Sequence, residues 1–480
     1  MKFIQYLNVL FMILACVAVS FLFPIAVAVA KSETEVIPAF LIPMIPVLFM
    51  SVFFLFITRN RTFKLSTRGG ILLVAFAWIL ACLLGAMPMY LSGVIPSFTE
   101  AFFESTSGFT TTGATMMPVI EGHYISVLFW RCQTHWLGGM GIVVLTVALF
   151  PLLGVGGFRL IKSETTGPDK GKITSKITET AKALWFIYLG ITLILIVLLS
   201  IAGMDFIDAC CHAFATLGTG GFSTKNISVG AYNSPLIEMI ITVFMLAASL
   251  NFSLYFRLLA GYPEDIKRNS EFWAFFKVFG VAVLIVVISI FPKYGLLDSI
   301  RYALFQVASI ISTTGFSTVD FNAWPELAKM ALFVVMFVGG CSGSTAGSIK
   351  VIRWVILKKQ AGNEIKRLLH PHGVFSIQIN NQPGRKDVVY SIAGFVFFYF
   401  LMLMFTAVVA VIAGADMMSG IASALALLGN IGPGFGMIGP MENFSFFADW
   451  AKWFFSFAML AGRLELYTML VVFTSVFWRK

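Results

Sequence analysis

Apolar residues fall in long blocks separated by short polar links along the whole chain. Ten blocks stand out, at about 3–30, 36–58, 71–94, 125–153, 181–203, 234–256, 273–292, 326–350, 387–413 and 450–477. A helix needs roughly 20 residues, at 1.5 Å rise each, to cross the hydrocarbon core of a bilayer. Each block therefore predicts a membrane-spanning α-helix. A transmembrane barrel would instead alternate apolar and polar positions over strands of about ten residues. The links leave no room for a separate soluble domain, so the fold class is an all-α polytopic membrane protein.

A second pattern lies between the blocks. Four links carry an apolar stretch too short to span, followed by Thr and Gly. They begin at Ala101 (AFFESTSGFTTTGAT), Ala209 (ACCHAFATLGTGGFST), Ala303 (ALFQVASIISTTGFST) and Ala422 (ASALALLGNIGPGFG). In each, the alanine precedes a glycine by 12 positions: Gly113, Gly221, Gly315 and Gly434. The repeating unit is helix, short half-helix, Gly-rich loop, helix. It occurs four times, and two N-terminal helices stand outside it. The expected division is 1–68 for the N-terminal pair, 69–160, 161–262 and 263–360 for repeats one to three, 361–385 for a cytoplasmic linker and 386–480 for repeat four.

Irregular backbone at membrane depth is tolerated only where it is buried in protein or lines a water-filled cavity. Four such loops around one axis can turn their carbonyls inward and replace an ion's hydration shell. Each half-helix would aim its negative C-terminal end at that axis, which favours a cation.

Charge changes the picture in one respect. The chain of 480 residues is 59% hydrophobic and 12% charged, with a net charge of +10. The basic residues sit on alternate links: Arg59, Arg61, Lys64 and Arg68; Arg159, Lys162, Lys170, Lys172 and Lys176; Lys350, Arg353, Lys358, Lys359, Lys366 and Arg367; and Arg479 with Lys480 at the end. The other links carry acids such as Glu33, Glu100, Asp205, Asp298, Asp320 and Asp416. This is the distribution of cytoplasmic loops under the positive-inside rule, with both termini cytoplasmic, and not a nucleic-acid surface. The first block ends in Ala28-Val29-Ala30, which resembles a signal-peptidase site. Its apolar stretch is longer than the usual 7–15 residues of a signal peptide's apolar region, so a retained helix is expected. The six cysteines show no CxxC spacing and read as packing residues.

The eighth block contains GGCSGSTAGS at 339–348, with four Gly, three Ser and one Thr. Glycine costs about 1 kcal/mol per helical position relative to Ala, so the helix should loosen there. The stretch begins 24 residues after Gly315, below the third Gly-rich loop. Gly138-Gly139, Ser249 with Asn251, and Gly462 occupy similar places in the other repeats and read equally as close-packing positions. Arg463 lies near mid-membrane in the last block, where an arginine must be paired or hydrated.

The chain resembles the TrkH family of membrane subunits of bacterial Trk potassium uptake systems, within the TrkH/KtrB/HKT superfamily. The resemblance covers essentially the whole chain. It rests on TTTGAT (110–115), WLGGMGIVVL (136–145), ETAKALW (179–185), GGFST (220–224), STTGFST (312–318), GGCSGSTAGSIKVIR (339–353), GNIGPG (429–434) and GRLE (462–465). It implies four pseudo-symmetric repeats around one K⁺ pathway, a homodimer with a pore in each subunit, and a cytosolic nucleotide-binding ring of the TrkA type. Carried over by motif, the K⁺ filter would comprise Thr111, Thr112 and Gly113; Thr219, Gly220 and Gly221; Thr313, Thr314 and Gly315; and Gly432, Pro433 and Gly434. The fourth loop lacks threonine, so fourfold equivalence is imperfect. The resemblance also implies a gate at Gly339, Gly340, Gly343, Ser344, Thr345 and Gly347, with Arg463 as a positive barrier in the cavity. K⁺ is the transported ion, and no organic cofactor is expected on this chain.

Other signals are weak. Gly167–Lys172 (GPDKGK) is one residue short of a phosphate-binding loop. His212 lies in a half-helix and reads as structural. No catalytic constellation is present, so an enzyme is not expected. The segment 359–386 is the longest polar stretch and the best place for a partner or anionic headgroups to dock. An ion-coupled secondary transporter usually shows inverted repeats, whereas these four run in one direction. A pathway permeable to both Na⁺ and K⁺, or coupled to a second ion, remains the alternative.

Overall fold

The computed structural model describes residues 2–59, 67–152, 177–380, 382–383, 386–464 and 466–479. The basic links at 60–66 and 153–176, the latter including GPDKGK, fall outside the described residues.

Among the described residues, six helices are long and apolar enough to cross a bilayer: Ile4–Ala30, Thr34–Thr58, Arg68–Leu91, Ala181–Ile201, Ser270–Ile311 and Val388–Ile412. The other four of the ten apolar runs are the second long helices of the repeats, the inner helices as against the outer ones that precede the half-helices, and each inner helix is broken part-way. The first, Ile125–Leu152, turns at Gly141, whose φ is 70°. The second is the pair Pro235–Ala248 and Phe252–Leu259, bent by 92°. The third, Glu326–Val338, stops at Gly339, and helix resumes at Val351. The fourth, Asp449–Arg463, gives way to a short helix from Leu466. Apolar content therefore predicts these runs, but helix continuity does not follow from it.

The half-helices are Phe98–Phe109, Phe206–Leu217 and Met417–Leu428, of 12 residues each. The third is the last part of Ser270–Ile311, which turns at Gly295 (φ 75°). Side-chain caps start two of them. Asp205 accepts from Ile207 N, and Asp416 accepts from Met418 N and Ser419 N. A carboxylate here satisfies orphan amides and meets the positive end of the helix. Hydrogen bonding to Ser419 holds the Asp416 carboxyl below the usual carboxylate range.

The N-terminal helices pack into the body of the molecule. Phe21 is fully buried and meets the Trp130 ring edge-on, with centroids 4.6 Å apart. Glu33 accepts from the backbone amides of Ile125 and Ser126 at 2.7 and 3.0 Å, capping the helix that starts there. A two-residue pairing, Gln378–Ile379 antiparallel to Gln382–Pro383, lies in the polar segment after Leu369.

Candidate ion-conduction site

Each half-helix ends in the same way. The second residue after the helix takes a left-handed φ: 56° at Thr111, 55° at Thr219, 57° at Thr313 and 52° at Asn430. The following amide reaches back five residues. Thr112 N bonds Ser107 O at 2.8 Å, Gly220 N bonds Ala215 O at 2.8 Å, Thr314 N bonds Ser309 O at 2.9 Å, and Ile431 N bonds Ala426 O at 2.9 Å. This is a Schellman ending, which turns the chain out of the helix and satisfies its last carbonyls. Glycine or asparagine normally occupies the left-handed position. A β-branched threonine there is strained by about 1–3 kcal/mol, and such strain persists only where the surroundings impose it.

One residue later comes a glycine with φ of 81° at Gly113, 79° at Gly221, 82° at Gly315 and 93° at Gly432. These four form a closed ring. A Cβ on Gly113 would fall 2.0 Å from the Gly220 carbonyl oxygen, and one on Gly221 would fall 2.0 Å from that of Thr314. A Cβ on Gly315 would fall 2.2 Å from Ile431 O, and one on Gly432 would fall 2.7 Å from Thr112 O. Each loop thus packs its glycine against the carbonyl just before the next loop's glycine, in the order one, two, three, four, one. Only a residue without Cβ permits this approach.

The ring settles the loop register. In the second loop it selects Gly221 rather than Gly220, as the spacing favours. In the fourth it selects Asn430, Ile431 and Gly432, two positions before Gly432, Pro433 and Gly434. The reason is local. The alanine of the 12-residue spacing is the fourth residue of half-helices one and two, whereas the fourth residue of Met417–Leu428 is Gly420. A Cβ on Gly420 would lie 2.8 Å from Val411 Cγ2, so the outer helix demands glycine there. Ala422 matched the spacing by coincidence. Asn430 holds the left-handed position that threonine holds in the other three loops, and its Nδ2 donates to Thr112 Oγ1 at 2.9 Å and to Met459 O at 3.1 Å.

Beneath the ring lies the segment 339–350. Cys341 N donates to Ser249 O at 2.8 Å and Ser348 N to Gly429 O at 2.9 Å. Gly347 N donates to Thr313 Oγ1 at 2.7 Å, and Thr345 Oγ1 to Ala248 O at 3.2 Å. Glu271 pins both ends, its Oε1 accepting from Ser342 N at 2.6 Å and Ile352 N at 3.2 Å. Gly339 and Gly343 have φ of 69° and 77°, and Ser348 and Lys350 are left-handed without being glycine. Gly340 meets Ser249 O at 3.1 Å from its added Cβ. The Ser344 hydroxyl closes a turn onto Cys341 O at 2.6 Å.

Arg463 ends the fourth inner helix beside this segment. It donates to Thr345 O at 2.7 Å and to Gly138 O and Gly139 O at 2.6 and 2.9 Å. It therefore links the segment to the first repeat. Gly138 and Gly139 are close-packing positions as well: their added Cβ atoms would lie 1.9 Å from Phe109 O and 2.7 Å from Gly218 Cα. The sequence reading missed Glu271 and Asn430. The first had a visible signal, an isolated acid at the head of an apolar run.

Among the described residues, no group of three or more His, Cys, Asp or Glu could hold a metal ion. The polar atoms at the ring are carbonyls and hydroxyls, which suit a hard monovalent cation in passage rather than a resident transition metal.

Four half-helices whose loops close a glycine ring, beside four long helices each broken part-way, define a polytopic membrane protein of the cation transporter class. The chain belongs to the TrkH family, described as a cation transport protein, whose pattern matches residues 37–479. It is 41% identical over 430 residues to the Trk system potassium uptake protein TrkH of Halomonas elongata, covering 88% of each chain. It is 40% identical to the protein of that name from Escherichia coli K12, again over 88% of each. The crystal structure of the potassium transporter TrkH from Vibrio parahaemolyticus superposes with a TM-score of 0.88 at 35% identity, over 100% of both chains.

Proposed function

We propose that this chain conducts K⁺ into the cell across a bacterial inner membrane, as a transporter and not an enzyme. The observation that carries the reading is the closed ring of Gly113, Gly221, Gly315 and Gly432. It brings four loops together at the C-terminal ends of four half-helices, where carbonyl oxygens and a negative dipole end favour a cation. The filter then comprises Thr111, Thr112 and Gly113; Thr219, Gly220 and Gly221; Thr313, Thr314 and Gly315; and Asn430, Ile431 and Gly432. The Thr111 hydroxyl is buried with no hydrogen-bond partner among the described residues. An ion or its water in the pathway would satisfy it.

The segment containing Gly339, Gly340, Gly343, Ser344, Thr345 and Gly347 is the gate, and Arg463 latches it while placing positive charge below the filter. The unequal fourth loop supports preference for K⁺ over Na⁺ that is weaker than a filter of four identical loops would give. The alternation of basic and acidic links along the sequence supports cytoplasmic termini. The Trk system named for the relatives supports partner proteins, which this reading takes to be a second copy of the chain and a cytosolic ring of the TrkA type.

The test is cation flux into liposomes holding the purified chain, with K⁺ compared against Na⁺ and Li⁺ and with Gly113→Asp as control. K⁺-favouring flux lost in the variant is the expected result. Flux of equal size and selectivity in Gly113→Asp would remove the ring from the pathway.

A further inference from the structure

Behind the ring, each half-helix carries a polar side chain at one shared position. Counted from the first residue, position seven is Glu104, His212 and Ser423 in repeats one, two and four. Counted back from Ile311, the matching residue in repeat three is Gln306. All four are completely buried.

Three of them reach their own loop just beyond the ring glycine. Glu104 accepts from Met116 N at 2.7 Å through one oxygen and from the Thr115 hydroxyl at 2.9 Å through the other. His212 Nδ1 lies 2.8 Å from the Asp208 carbonyl and so carries the proton, which leaves Nε2 to accept from the Ser223 hydroxyl at 2.9 Å. Gln306 Nε2 donates to Phe316 O at 3.2 Å, a carbonyl that the Ser309 hydroxyl also meets at 2.6 Å. Ser423 differs: its hydroxyl turns back onto its own helix, to Ser419 O at 2.7 Å.

Glu104 also reaches a second loop. Arg131 Nε lies 2.5 Å from its carboxylate, and both side chains are almost inaccessible. The same guanidinium donates to Ser223 O at 3.0 Å and stacks 3.5 Å from the Phe222 ring centre. One carboxylate therefore anchors loop one and, through Arg131, loop two. A buried ion pair adds little net stability because both charges lose their hydration. Its geometric effect is strong, because charge-assisted bonds are short and directional.

We infer that position seven is a brace for the first three filter loops, and that the Glu104–Arg131 pair is the specificity-determining one. It holds loops one and two at a spacing that suits K⁺ and resists contraction around the smaller Na⁺. The fourth loop has no such brace and is the compliant side. It is also the side where Ser348 N of the gate bonds Gly429 O. This inference rests on the filter reading above.

The experiment is the K⁺:Na⁺ permeability ratio of the full chain in liposomes. Glu104→Gln keeps the shape and removes the charge; the ratio should fall about tenfold with flux retained, the scale expected when a charged hydrogen bond is weakened. Gln306→Met should lower it less, and Ser423→Ala should leave it unchanged. Gly113→Asp separates the two levels. If that variant conducts like the native chain, the filter reading fails. If it blocks flux while folded Glu104→Gln keeps the native ratio, the brace alone is overturned. Should Glu104→Gln not yield folded protein, an unchanged ratio in Gln306→Met overturns it instead.

Discussion

The Gly347 amide donates to Thr313 Oγ1 at 2.7 Å, so the segment that interrupts the third inner helix is tied directly to the third loop of the glycine ring. Thr313 is also one of the strained left-handed threonines, with φ of 57°. One hydroxyl therefore joins the glycine ring to the segment 339–350.

Thr313→Val keeps the branched shape and removes the acceptor. The Gly347 amide is then left unsatisfied while the segment stays in place, which costs about 1–3 kcal/mol. The open fraction should rise in single-channel recordings or liposome flux, and Thr313→Ser should stay native. Equal behaviour of the two variants would refute the coupling.

Arg463→Ala removes three charge-assisted bonds to Thr345, Gly138 and Gly139. Cation flux should increase about tenfold, the scale of one such bond. Arg463→Lys should lie between, because an ammonium lacks the planar fork that spans separate carbonyls. A slower flux from correctly folded Arg463→Ala protein would contradict the latch.

The register of the fourth loop can be tested by glycine replacement. Gly432→Ala puts a Cβ 2.7 Å from the Thr112 carbonyl oxygen at φ of 93°, whereas Gly434→Ala meets the movable end of Ile438 at 2.3 Å. Gly432→Ala should abolish selective K⁺ flux, while Gly434→Ala should retain most of it. The reverse order would restore the later register.

Glu271→Gln tests the anchor at the ends of the segment 339–350. Its carboxylate oxygen holds Ser342 N and Ile352 N together, and a neutral amide accepts more weakly. Leak flux in the absence of any activator should rise. Unchanged leak in a folded variant would mean that the other bonds to the segment suffice.

Much of this site is legible in the sequence because it depends on local chemistry. Thr, Gly and half-helix length sit in one short window, so the first three loops can be aligned by counting. Gly339–Gly347 announces a break because a run of small residues cannot sustain a helix. The fourth loop misleads the same count, since Ala422 imitates a packing position that Gly420 holds. Arg463 is conspicuous as a charge in an apolar run, but nothing near it in sequence names its partners. The position-seven residues share polarity but no functional group: a carboxylate, an imidazole, an amide and a hydroxyl.

The sequence by itself determined that the chain crosses a membrane many times, that four loops share one plan, and that the third inner helix breaks. Hydrophobic length, glycine content and charge placement are properties of short windows, and water and lipid read them directly. Only the tertiary structure decided which glycines meet, which carbonyls Arg463 holds, and that Asn430, at the position of a threonine, bonds Thr112 across 318 residues. Those contacts arise where separate repeats converge. The spacing that matters there lies between strands of chain far apart in sequence, and no count along the chain records it.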